Sequence, residues 1–310
     1  MKIIRGIQNI KESITYPVLT IGNFDGVHLG HQAIFKKVVD RVKEVEGTGI
    51  VFTFEPHPKK ILLPDKYLAS LTAFEEKLEL IEKTGIDMVI CADFTTDFAA
   101  LSPWQFTKSI LVEKICVKEV FVGYDFNFGK RREGTAEYFQ KMGEEFGFKV
   151  EVLDAVKING GIVSSSFIRD LIVNGQVSKA ARYLGQPYSL AGKVVGGREV
   201  GSAIGFPTAN LDVHDSLIPH TGVYAVQIIS KNKKYNGVAN VGYNPTFKRN
   251  HLTVEIHIFD FTENLYDQTI RLLFINRIRD EVAFLSTEEL KIQIQKDVKT
   301  AKEIIEEEID

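Results

Sequence analysis

The spacing of apolar positions changes once along the chain, close to residue 187. Before that point, short apolar runs alternate with stripes of helical period. Val18–Ile21 reads as a short buried strand, and Ile34, Val38, Val42 and Val45 then fall on one helical stripe. Ile50–Phe54, Met88–Ala92, Val120–Val122 and Val150–Leu153 read as further strands. Thr72–Lys83 reads as a helix with Phe74, Leu78 and Ile81 on one side, and Ser102-Pro103 opens another, with proline at its favoured first position. Strands that alternate with helices predict a mostly parallel sheet, right-handed crossovers and helices on both faces.

From Tyr188 the helical stripes stop. Val194–Val195, Tyr224–Ile229, Tyr235–Val241, Leu252–Phe259 and Ile270–Phe274 are strand-like runs separated by turn residues. This spacing predicts a small antiparallel barrel. The last stretch is helical again. Ser286 and Glu289 have capping-box spacing, and Leu290, Ile294, Val298, Ala301 and Ile305 form a stripe able to pack on the barrel. The acidic end, Glu306–Asp310, reads as a solvated helix terminus. Between the two patterns, Ser164–Asp170 opens a helical pair that runs to Leu184, and Gly185-Gln186-Pro187 reads as a linker. The expected domains are therefore 1–185 and 186–310, the usual number for 310 residues.

Composition narrows the class. A hydrophobic fraction of 44% with 25% charged residues is that of a soluble globular protein. A net charge of -3 lacks the basic footprint of a general nucleic-acid binder, and no apolar run approaches the ~20 residues of a membrane helix. Met1–Lys11 mixes charges with isoleucines and is no signal peptide. Cys91 and Cys116 both sit in apolar stretches, so both are expected as buried reduced thiols of a cytoplasmic protein.

The candidate chemistry begins at Gly22-Asn23-Phe24-Asp25-Gly26-Val27-His28-Leu29-Gly30-His31, between the first predicted strand and helix. Its glycines allow backbone to approach a ligand closely. The unpaired N–H groups and the dipole of the helix start favour an anion, most often phosphate. His28 and His31 could each donate to phosphate oxygens there. Zinc is the competing reading of two histidines, but it asks for about four ligands, and neither cysteine has metal-like spacing. The turn lacks the P-loop lysine and does not match the dinucleotide fingerprint. Glu55-Pro56-His57-Pro58 and Gly123-Tyr124-Asp125-Phe126-Asn127-Phe128-Gly129 also follow strands. Ligands on parallel sheets bind at the carboxyl ends of the strands, so the three loops can converge on one rim.

His28-Leu29-Gly30-His31 resembles the His-x-Gly-His signature of nucleotidyltransferases, and the longer motif resembles the bacterial bifunctional riboflavin kinase/FAD synthetase family. Four motifs match in order: Gly22–His31, Phe54–Pro58, Gly123–Gly129 and Ser164–Arg169. The resemblance implies a doubly wound nucleotidyltransferase-type parallel sheet in which FMN phosphate attacks the α-phosphorus of ATP. It implies catalytic roles for His28, His31 and Arg169, and ATP contacts from Gly22, Asn23, Phe24, Asp25, Gly30, Ser164 and Ser165. Pro56, His57, Asp125 and Asn127 would lie on the flavin side, with loop packing an equal alternative for His57. A cation at Arg169 opposes the dipole of its own helix start, a sign that bound polyphosphate would reverse. Lys130, Arg131 and Arg132 read as a solvated basic loop.

The second half carries three more motifs of the family: Gly205–Asn210, Gly237–Phe247 and Val254–His257. They imply phosphorylation of riboflavin by ATP. The riboflavin hydroxyl must lose a proton, which calls for a base. The resemblance makes that base Glu255, which strand alternation points away from the barrel core. Thr208 and Asn210 would contact ATP and offer oxygens to Mg²⁺. Two positions depart from the family pattern: Gly196 and Ser202 stand where it usually has His and a basic residue, and Arg198 is the nearby substitute. They leave open a flavin-binding regulator with a degenerate kinase half. The expectation is a cytoplasmic enzyme acting on riboflavin, FMN and ATP, with flavins as substrate and product rather than prosthetic group, and with no nucleic-acid or membrane partner.

Overall fold

The computed structural model describes residues 1–66, 69–196, 205–213, 216–231, 233–243 and 252–307. Arg198, Ser202 and Asn244–Phe247, the end of the second kinase motif, lie outside the described residues, as do the last three residues of the acidic tail. The chain divides into two compact units. One comprises Met1–Leu68 and Phe74–Ser164, the other Ala69–Ala73 and Ser165–Asp310.

The strands of the first unit's main sheet are β1 (Lys2–Arg5), β2 (Pro17–Ile21), β3 (Thr48–Glu55), β4 (Met88–Asp93), β5 (Glu119–Gly123) and β6 (Lys149–Leu153). They form a six-stranded sheet in the order β1-β4-β3-β2-β5-β6, and every pair is parallel. The longer helices are α1 (Leu29–Val45), α2 (Phe74–Glu82) and α3 (Ala136–Phe146). Adjacent strand residues feed opposite faces. Leu19, Ile50, Ile90 and Val120 pack with Phe106, Phe139 and Phe148. Their neighbours Val18, Val51, Val89 and Phe121 pack with Phe35 and Val38 of α1 and Leu78 and Ile81 of α2. Burial on both faces is why these strands read as continuous apolar runs.

The sequence pattern missed β1, whose alternating charges and isoleucines mark an edge strand: Lys2 and Ile3 are exposed, and pairing is to β4 alone. Ser102 caps the expected helix with a full capping box, but only Pro103–Phe106 is α-helical, and Thr107–Val112 continues as a π-helix. Cys91 is buried, as expected. Cys116 is not: it is exposed, at a left-handed turn of φ 55° between buried Ile115 and Val117. Its apolar sequence neighbours point inward while the turn turns it out.

The second unit opens with α4 (Ser165–Val173) and α5 (Val177–Leu184), followed by a closed barrel. Its strands are β7 (Tyr188–Val195), β8 (Ala209–Asp212), β9 (Gly222–Ser230), β10 (Lys233–Tyr243), β11 (Leu252–Ile258) and β12 (Thr269–Arg279), and α6 (Thr287–Glu307) closes the chain. Around the barrel the order is β7-β8-β11-β10-β9-β12, all antiparallel. The short strand β8 went unread because its alternation lasts only four residues. Gly185 ends α5 at φ 79°, and β7 starts three residues later. Val177, Ala180, Tyr183 and Leu184 of α5 are buried, so α4 and α5 are part of the barrel's compact unit.

The stripe of α6 covers outward residues of the barrel. Ala301 and Ile305 pack with Val223, Ala225, Val238 and Ile275. One turn earlier the same face carries a charge the apolar pattern did not anticipate. Asp297, 3% exposed, takes two hydrogen bonds from Arg279 of β12, at 2.9 and 2.7 Å, and a third from Gln293. At the helix start the Glu289 N–H donates to Ser286 Oγ, as a capping box requires, but the Glu289 carboxylate accepts from Leu285 N–H rather than from Ser286.

Candidate active sites

In the first unit, β3, β2 and β5 are adjacent and parallel. The loops after them, at Pro56, Gly22 and Tyr124, therefore leave from one end of the sheet. His28 is the N-cap of α1. Its Nδ1 accepts the backbone N–H of His31 at 3.3 Å, and the two rings stack at 3.5 Å with planes 19° apart. Since Nδ1 is an acceptor, the neutral ring carries its proton on Nε2 and presents that N–H as donor. Phe24 stands edge-on to His31, with centroids 5.2 Å apart, and packs against Phe35. Gly30 lies close under the pair: a Cβ there would be a tight 3.1 Å from the His28 ring and in ordinary contact, 3.5 Å, with the Val163 carbonyl oxygen. Val163, the residue before Ser164, thus lies near the start of α1.

Electrostatics sets the charge of the pair. Burial pushes His28 down to about 4. Burial, then the charges of His28 and Lys77, holds His31 well below the ordinary value. The histidines are therefore neutral donors at pH 7 rather than cations. His31 Nδ1 is shielded from solvent without a hydrogen-bond partner.

Lys77, to which sequence reading gave no role, reaches the turn before α1. It is 6% exposed on α2, and its Nζ lies 3.3 Å from both the Asn23 carbonyl and Thr53 Oγ1. The available signal was a lysine three residues after Phe74 and four before Ile81, on the helix's apolar stripe. Asp25 is buried; Asp125 and Asn127 are exposed in the loop after β5, where Asn127 Nδ2 donates to the Asp125 carbonyl at 2.7 Å. His57 is half-buried and caps the short helix Pro58–Leu62, accepting from Lys59 N–H at 3.1 Å. Lys130, Arg131 and Arg132 are exposed. Ser164 belongs to the first unit; Ser165 and Arg169 belong to the second, where Arg169 is half-buried and donates to the Ala69 carbonyl.

In the second unit the register makes a row. Glu255 of β11 stands directly across from Asn210 of β8 on one side and Asn240 of β10 on the other. Directly opposed residues share a sheet face about 5 Å apart. Val254 and Ile256 are buried and Glu255 is half-buried, so the row lies on the outer face. Asn240, which the sequence reading left without a role, is thus a neighbour of Glu255, and its Nδ2 donates to Glu281 at 3.4 Å. His257, also on the outer face, hydrogen-bonds the Pro207 carbonyl at 2.9 Å and meets Phe206 edge-on. It ties the Gly205–Asn210 segment, and with it Thr208, to β11. Gly196 ends β7 with open space where a Cβ would be.

Comparison with known proteins assigns the two halves separately. Residues 10–167 match the family model for FAD synthetase, and residues 184–305 match that for riboflavin kinase. The bifunctional riboflavin kinase/FMN adenylyltransferase of Haemophilus influenzae is 38% identical over 303 residues, covering 97% of this chain and 98% of its own. The protein of the same description from Escherichia coli K12 is 39% identical over 305 residues, covering 98% and 97%. A crystal structure titled macrolide-efflux protein, from Streptococcus pneumoniae, is 30% identical with a TM-score of 0.87, covering 96% of this chain and 97% of that one. Among the described residues of this chain no helix is long and apolar enough to cross a membrane. With both halves matched in order and relatives aligned over nearly the whole length, the chain belongs to the bifunctional riboflavin kinase/FMN adenylyltransferase family.

Proposed function

We propose that this enzyme phosphorylates riboflavin to FMN with one ATP and then adenylylates FMN with a second, releasing FAD and pyrophosphate. The observations that support the reading are an anion-favouring helix start capped by His28 in the first unit and a barrel row built on Glu255 in the second.

Adenylyl transfer needs no general base, because the FMN phosphate is already ionised near pH 7. The work is alignment of two anions and stabilisation of charge on the transferred phosphorus and the leaving pyrophosphate. The backbone N–H groups at the start of α1 and the Nε2–H of His28 supply donors to that charge, and His31 stacks beneath it. The turn Gly22–Asp25 and Gly30 lie where ATP backbone contacts are expected, with Ser164 following Val163. Asp125, Asn127, Pro56 and His57 take the flavin side. The roles of Ser165 and Arg169 rest on motif resemblance alone.

In the kinase reaction Glu255 takes the proton from the riboflavin hydroxyl as its oxygen bonds the γ-phosphorus of ATP and the bond from that phosphorus to the β–γ bridging oxygen breaks, releasing ADP. Thr208 and Asn210 present neutral hard oxygens beside it, a donor set that suits Mg²⁺ carried in by ATP, since that ion keeps waters and phosphates for its other positions. When bound it would neutralise phosphate charge. Among the described residues no group of three histidines, cysteines or carboxylates could hold a metal alone. Riboflavin, FMN and ATP are the partners, and the cytoplasm is the compartment that holds them. Incubation of the protein with riboflavin, ATP and Mg²⁺, with flavins separated by chromatography, should yield FMN and then FAD; absence of both products rejects the reading.

A further inference from the structure

We propose that Lys77 is a positioning residue for adenylyl transfer: its buried ammonium clamps the Asn23 carbonyl and so sets the turn that holds Phe24 against His31. The proposal rests on the adenylyltransferase reading of the first unit.

The turn needs a clamp. Between β2 and α1 the backbone is left-handed at Phe24 (φ 50°), Gly26 (φ 87°) and Val27 (φ 41°). Two of these are not glycine, and such conformations persist only where surrounding contacts over-determine them. Two contacts meet at the carbonyl just before Phe24. Thr53 Oγ1, from β3, donates to Asn23 O at 3.3 Å, and Lys77 Nζ donates both to Asn23 O and to Thr53 Oγ1 at 3.3 Å. The Phe74 ring, 5.0 Å from Nζ, covers the ammonium. Strand, helix and turn are thereby fixed to one another at a single oxygen. Phe24 follows that oxygen directly and transmits its position to the His31 ring.

Stability alone does not call for a charge here. Burying an ammonium costs several kcal/mol, and an apolar side chain of the same length is often neutral or stabilising in such a place. What the charge adds is local. Burial lowers the proton affinity of Lys77, while Glu55, Cys91 and Asp25 pull the other way. Lys77 in turn joins burial and His28 in keeping His31 unprotonated. One side chain thus holds the turn and adds to the burial that keeps His31 neutral.

The test uses the full chain with three readouts: FAD formation from FMN and ATP, FMN formation from riboflavin and ATP, and the thermal unfolding midpoint. In Lys77→Met, kcat for FAD formation should fall about 10- to 100-fold, the cost of a small misplacement of reacting groups, while FMN formation and the midpoint hold. The His31 imidazole, followed by NMR in ligand-free protein, should titrate at higher pH than in wild type. Lys77→Arg, which keeps charge and donors, should recover most FAD formation. FAD formation within twofold of wild type in Lys77→Met overturns the proposal. So does a joint loss of midpoint and FAD formation that Lys77→Arg does not repair, since that is a structural role only. If Lys77→Met does not fold, Lys77→Arg decides: folded and active supports the proposal, folded and inactive overturns it. Wild-type protein that forms no FAD would reject the adenylyltransferase reading instead, and the backbone amide resonances of Phe24–Val27 would still decide the clamp: displaced in Lys77→Met and restored in Lys77→Arg if Lys77 sets the turn, unchanged if it does not.

Discussion

His28 accepts the backbone N–H of His31 through Nδ1 at 3.3 Å, so one histidine is both the cap of α1 and part of the stacked pair at its start. The cap fixes the tautomer, and the tautomer makes Nε2–H the donor that the ring presents.

Capping and chemistry can be separated by choice of substitution. His28→Asn keeps a good N-cap, whereas His28→Ala forfeits about 1 kcal/mol of helix stability. Both should lose FAD formation by about 10²–10³-fold, the usual effect of removing one preorganised donor, and both should still make FMN from riboflavin. Only the alanine variant should show a lower unfolding midpoint. Equal loss of FMN formation would contradict two separate sites.

The depressed His28 pKa has a pH signature. The native ring protonates near 4, the unfolded one near 6.5. Between those values the unfolded chain binds more protons, so stability is full above 6.5 and falls as pH drops toward 4. From pH 7 to pH 5 the loss from this one group is about 2 kcal/mol. Urea unfolding followed by the fluorescence of Trp104, the single tryptophan and a residue of the first unit, should show that loss in wild type and a smaller one in His28→Asn.

Glu255→Gln removes a charge with little change in size. Riboflavin phosphorylation should collapse, while FMN supplied directly is still converted to FAD. Wild-type turnover of riboflavin by the variant would eliminate Glu255 as the base. Asn240→Ala should lower kinase activity less, because Asn240 neighbours Glu255 across the ladder without being required to take the proton.

Asp297→Ala removes two hydrogen bonds from the Arg279 guanidinium, which keeps the Asp280 carbonyl as a partner and 21% of its side-chain surface in water. The loss should stay below the ~3–5 kcal/mol of a fully buried pair broken from one side, and it should appear as a lower denaturation midpoint of the second unit with the first unit unchanged. An unshifted midpoint would mean that α6 is held by Ala301 and Ile305 alone.

A fragment of residues 165–310 should fold and phosphorylate riboflavin, and it should outlast residues 186–310 in urea. The longer fragment keeps Val177, Ala180, Tyr183 and Leu184, all buried in α5. Equal midpoints would show that α5 adds nothing to the barrel.

The sequence by itself determined the two architectures, since a run such as Ile50–Phe54 can be buried only on both faces of a sheet, and Val254-Glu255-Ile256 can alternate only across one wall. It also marked the start of α1 as a candidate anion site, because glycine, histidine and an apolar stripe act there over a few residues. It did not determine β1 or β8, whose pairing to β4 and to β7 and β11 comes from strands far along the chain. Tertiary structure alone decided that His28 and His31 are neutral, because desolvation depends on what covers a ring and not on its neighbours in sequence. It alone put Asn240 beside Glu255, through strand register. And it alone turned Lys77 and Asp297 from breaks in an apolar stripe into partners of Asn23 and Arg279. Periodicity reports which face a residue is on; what waits on that face is a property of the fold.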